Sequence, residues 1–140
     1  MINLATSEPI VLDSVHLVPA DPTLFAPIRL LGSWLTNSPV NRTVRAGRWP
    51  EPLTPLYCTV VQPIKDPKAQ PTLVTRLKAP VGQAAHGRSW SADRGVVVAY
   101  HTLDGSPYEA MFEYLVVFPT SRDSDSKDGI DLLQQSSAKW

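Results

Sequence analysis

The sequence predicts an all-β fold, a single antiparallel β-sandwich or partly closed barrel of about seven short strands with a polar C-terminal tail. Fourteen prolines stand in 140 residues, and each removes a backbone donor and fixes φ, so few windows remain for a helix of ordinary length. The intervals hold short runs of Val, Leu, Ile, Thr and aromatic residues, each closed by Pro, Gly, Asn or Asp, the residues that turn a chain. At this length one core can bury roughly two thirds of the unfolded surface, enough to fold without covalent staples. A jelly-roll order is compatible with such a strand count.

Taken in order, the candidate strands are Pro9 to Val18, Leu24 to Leu35, Val40 to Arg45, Leu56 to Ile64, Thr72 to Leu77, Gly95 to Leu103 and Tyr108 to Phe118. The second contains Pro27 and could open with one helical turn capped at Thr23, or be strand throughout. Residues 64–70 are polar and bounded by Pro63 and Pro71, which reads as a loop. The sharpest local signal is Asp104-Gly105, a hairpin turn. With a two- or four-residue loop, Val97, Ala99, His101 and Leu103 share an apolar face with Tyr108, Ala110, Phe112, Tyr114 and Val116. Tyr100, Thr102, Glu109, Met111 and Glu113 then take the wetter face. A three-residue loop reverses the assignment for one strand.

Residues 1–119 are expected to form the β domain and 120–140 a tail. The stretch from Thr120 to Asp128 is polar, whereas Ile130, Leu132, Leu133 and Trp140 supply apolar surface for a short docking element with Asp128 as its cap.

Lys plus Arg and Asp plus Glu number 13 each, giving a formal net charge of zero. No global field draws the chain to nucleic acid or an anionic membrane, and the electrostatic barrier to self-association is low. Met1 to Ala5 shows no signal-peptide pattern, and no run reaches the ~18 apolar residues of a membrane span, so a soluble protein is expected. The single cysteine, Cys58, allows no intrachain disulfide; it reads as a small buried hydrophobe in a reducing compartment or a virion.

Chemistry-bearing motifs are absent from the pattern. His16, His86 and His101 are too widely spaced for a short metal motif, so no metal or cofactor is expected. His101 reads as a hydrogen-bonded core residue. No Gly-x-Ser-x-Gly element or phosphate-binding glycine loop occurs. Glu109 and Glu113, four apart on a strand, are about 13 Å apart, too far for an acid/base pair.

The residues singled out are therefore candidate interface residues. Arg42, Arg45, Arg48 and Trp49 form a basic run ending in an indole; Arg88 and Trp90 stand together in a polar loop; Ile130, Leu132, Leu133 and Trp140 mark the tail. Tryptophan and arginine dominate binding hot spots. The basic run could also protect a strand edge or meet the acidic tail, within one subunit or between subunits.

Proline-broken strands ending in Tyr114-Leu115-Val116-Val117-Phe118-Pro119 resemble the compact β-sandwich modules of viral and phage particles, over roughly residues 9–119 and without a diagnostic motif. That resemblance implies a non-enzymatic structural module that self-associates, as a homo-oligomer, or decorates a larger particle. No strongly basic arm stands in the sequence, which favours a surface or accessory role over genome packaging. An alternative expectation is a small β-barrel that binds or transforms an apolar molecule, with His101, Tyr100, Tyr114, Glu113 and Asp93 near the pocket. A third is single-stranded nucleic-acid binding through Arg42, Arg45, Arg48 and Trp49.

Overall fold

A computed structural model describes residues 2–3, 7–36, 53–57, 59–63, 71–121 and 126–137. Their elements are β1 (Ile2–Asn3), β2 (Ile10–Pro19), β3 (Ala26–Pro27), β4 (Arg29–Thr36), β5 (Thr54–Pro55), β6 (Val60–Val61), β7 (Thr72–Lys78), β8 (Trp90–Thr102), β9 (Pro107–Pro119) and α1 (Ser126–Ser137). The protein is all-β, with one short helix. The strand expected at Val40 to Arg45, Cys58 and the loop at 64–70 lie outside the described residues.

The strands form two sheets. One has the order β1-β7-β4-β5; the other has the order β3-β8-β2-β6, with β9 also paired to β8. Antiparallel pairing sets Ile2 opposite Leu73, Trp34 opposite Pro55 and Ile10 opposite Val61. The short β3 runs parallel to β8, with Ala26 opposite Ser91. Neither sheet closes into a barrel among the described residues. No helix among them is long and apolar enough to cross a membrane.

The chain divides into two compact units. The first comprises Met1–Val15, Gly32–Arg76 and Val98–Ala110; the second comprises His16–Leu31, Leu77–Val97 and Met111–Trp140. In the first, Ile10, Leu12, Leu35, Val61, Leu73 and Val98 are buried. The second is built on Ala20, Phe25, Ala92 and Leu133, against which Leu24, Trp90, Val117 and Leu132 pack. Burying side chains the size of Phe25 and Leu133 contributes about 1.5–3 kcal/mol each.

Thr23 does not cap a helix ahead of β3. Asp21 organises this bend instead: its Oδ1 accepts from the Thr23 amide at 2.9 Å and the Thr23 hydroxyl at 2.7 Å, while its carbonyl accepts from the Leu24 and Phe25 amides. Those two hydrogen bonds hold the Asp21 carboxyl below its ordinary pKa. One turn suffices before β3 because Phe25 and Ala26 go straight into the core.

The Asp104-Gly105 hairpin has a three-residue loop. The Thr102 amide donates to the Ser106 carbonyl at 3.1 Å and the Gly105 amide to the Thr102 carbonyl at 2.9 Å. Gly105 takes φ 89°, the left-handed residue that ends such a loop. Asp104 Oδ1 accepts from the Ser106 amide and the Thr102 hydroxyl, which lowers the Asp104 pKa. This loop length shifts the pairing by one residue and reverses the face on β8. Val96, Val98 and Thr102 are buried there, while Val97, Ala99 and His101 are half-buried. On β9 the expected alternation stands, with Ala110, Phe112, Tyr114 and Val116 half-buried and Glu109, Met111, Glu113 and Leu115 exposed. Tyr100 and Tyr108 stack across the hairpin, ring centroids 5.6 Å apart.

Candidate functional site

Strand β9 is the feature that sets this fold apart from a closed β body. Among the described residues it pairs with β8 alone. Among the described residues, every other strand that ends a sheet, β1, β3, β5 and β6, spans two residues, whereas β9 spans 13. Short terminal strands leave few unpaired backbone groups; a long one leaves a row of them.

Three contacts fix which groups face β8. The Ser106 carbonyl accepts from Thr102, and the Thr120 amide donates to the Ser89 carbonyl at 3.1 Å. The Phe112 carbonyl points at Gly95, where a Cβ would collide with it. All three residues are even-numbered, and backbone groups alternate in direction along an antiparallel strand. The amides and carbonyls of Met111, Glu113, Leu115 and Val117 therefore face the other edge. Pro107 and Pro119 share that parity and have no amide hydrogen to offer there. Met111 is 49% exposed and Leu115 44%.

Two hydrogen-bonded pairs bring titratable groups together. In the first unit, His101 Nδ1 lies 2.9 and 3.0 Å from the two Asp13 carboxylate oxygens, which favours the tautomer with its proton on Nδ1. The side chains are 35% and 44% exposed, so this is a half-open pair in place of the core histidine expected.

In the second unit, Asp93 is buried. It accepts from the Tyr114 hydroxyl at 2.6 Å and from the Gly95 amide at 3.2 Å. Burial raises the Asp93 pKa against the pull of its hydrogen bonds; burial and then Asp93 push the Tyr114 hydroxyl up. Gly95 takes φ 155°, and only a residue without Cβ fits beneath Phe112. A glycine inside a β pattern is the sequence signal for such a close approach, whereas nothing in the sequence marks Asp13 as the partner of His101.

The candidate interface residues fall into separate settings. Arg88 is spent on structure: its guanidinium donates to the carbonyls of His86 and Pro22, both at 3.0 Å, and its carbonyl accepts from the Thr120 hydroxyl at 2.6 Å. Trp90 lies half-buried against α1 and comes together there with Leu132 and Leu133. A methyl at Gly129 would come within 2.6 Å of the Trp90 ring and 2.7 Å of Val117 Cγ1. Leu133 is fully buried and Ile130 is 40% exposed. Asp128 lies inside the first helical turn, where its charge favours the positive helix end. Arg42, Arg45, Arg48, Trp49 and Trp140 lie outside the described residues. No group of three metal-ligating side chains occurs among the described residues.

Comparison of the chain with protein-family models, curated proteins and solved structures finds no match, so the geometry alone bears on its role.

Proposed function

We propose that this chain is a non-enzymatic structural module that self-associates or decorates a larger assembly, of the surface or accessory kind carried by viral and phage particles. The observation that carries this reading is the length of β9, which among the described residues pairs with β8 alone, with Met111 and Leu115 exposed along it. An edge of this length is a template for another strand, and the formal net charge of zero sets no general repulsion against a second copy. Symmetric homo-oligomers are the commonest soluble assemblies.

Light scattering across a concentration series tests it. The expected mass rises from the 15.4 kDa of one chain towards an integral multiple. A mass of one chain at every concentration would contradict self-association and leave only attachment to a different partner.

A further inference from the structure

We infer that α1 is a strap that folds as it docks: it leaves and rejoins its receptor on the second unit while the strands of that unit stay paired, and each release bares the apolar surface of Ala20, Phe25 and Ala92. This goes beyond the assembly reading and stands whether or not copies of the chain associate.

Taken alone, α1 does not hold its own shape. It has 12 residues, a length at which an isolated helix is marginal even for alanine-rich sequences. Gly129 stands in its interior, and Asp128 and Asp131 are weak helix formers. Asp128 offsets part of its cost at the positive helix end, but no basic side chain stands in the last turn to do the same at the negative end. Docking supplies the rest through a narrow face. Gly129 and Leu133 are buried and Leu132 is half-buried, positions i, i+4 and i+3 of one stripe. Lys127, Asp128, Ile130, Asp131, Gln134 and Gln135 are exposed.

The receptor is held by bonds that do not involve α1. Trp90 and Ala92 belong to β8 and Val117 to β9, strands of 13 residues each that pair with one another. The Ser91 hydroxyl donates to the Ala26 carbonyl at 2.8 Å, which fixes β3 beside β8. Just ahead of α1 the chain is pinned at the buried Thr120: its amide donates to the Ser89 carbonyl, its hydroxyl to the Arg88 carbonyl, and its own carbonyl accepts from the Gly82 amide at 3.0 Å. Release of α1 therefore stops at Thr120 and does not run on into β9. Undocking uncovers Leu133 and its neighbours; opening the sheet breaks a ladder as well. The smaller loss belongs to α1, so α1 opens first.

Hydrogen exchange of the full-length chain at one dilute concentration, with urea added below the unfolding transition, tests this by NMR. The amides from Ile130 to Gln135 are expected to be protected, yet at least tenfold less than those of Val96 and Val97 in the middle of β8, and to respond less steeply to urea because less surface is exposed. Equal protection with equal urea dependence overturns the strap, since α1 then opens only when the unit unfolds. Complete lack of protection in α1 overturns it too, since nothing is then docked.

Tyr114→Phe separates the two openings. Losing the hydrogen bond to Asp93 weakens the sheet equally with α1 docked or released, so Val96 and Val97 should lose at least fivefold in protection while the α1 amides keep theirs. A fall of the same size in both overturns the inference. Should this variant fail to fold, the exchange of the parent decides the matter.

Discussion

Asp93 is a carboxylate that the fold keeps buried. A carboxylate taken from water is tolerated where donors replace the lost solvation, and here the Tyr114 hydroxyl and the Gly95 amide do so. Tyr114→Phe removes the nearer donor and keeps the ring; a loss of roughly 1–3 kcal/mol in denaturant unfolding is expected. The pH dependence follows from the raised pKa. Well below the ordinary carboxylate value of 3.8, Asp93 is protonated in both folded and unfolded chains. As pH rises, the unfolded chain loses its proton first, so this residue's contribution falls until the folded carboxyl ionises too. The melting temperature of the parent, measured against Asp93→Asn, is therefore expected to decline from about pH 4 upwards. A difference that stays flat, or grows in the parent's favour, would contradict a raised pKa.

At the scale of elements, two cases show where the sequence was legible and where it was not. The alternation on β9 could be read directly, because Glu109 and Glu113 mark the wet face of a regular strand. On β8 it could not, because a loop of two, three or four residues around Asp104-Gly105 is chosen by details of hydrogen bonding. Asp104 caps both Thr102 and Ser106, and that choice inverts a face. Likewise, the apolar residues of α1 were visible as a docking surface, but their receptor, formed by Ala20, Phe25 and Ala92 from distant parts of the chain, was not. The fit of α1 leaves no room at Gly129. Gly129→Ala raises helix propensity yet is expected to destabilise the second unit by roughly 1–3 kcal/mol through overpacking. Chemical denaturation followed by tryptophan fluorescence measures this; a stabilised variant would show that α1 sits more loosely than its contacts imply.

For the whole molecule, the sequence announced an all-β chain without net charge, and proline placement explains much of that outcome. Prolines at 107 and 119 bound β9 and leave its interior free to pair. The interface residues chosen from composition were drawn to tryptophan and arginine. That β9 pairs with β8 alone among the described residues, in contrast, is a property of topology, invisible until strand partners are known. Arg88 shows the difference: a candidate anchor by type, it is occupied with holding the chain at His86 and Pro22.

Hydrogen exchange along β9, read residue by residue at low and at high protein concentration, tests the central claim most directly. The account predicts that the outward amides of Met111, Glu113, Leu115 and Val117 exchange fast in dilute solution and become protected as concentration rises. The inward amides of Phe112 and Tyr114 should be protected throughout. Outward amides whose protection does not change with concentration would contradict assembly through this edge.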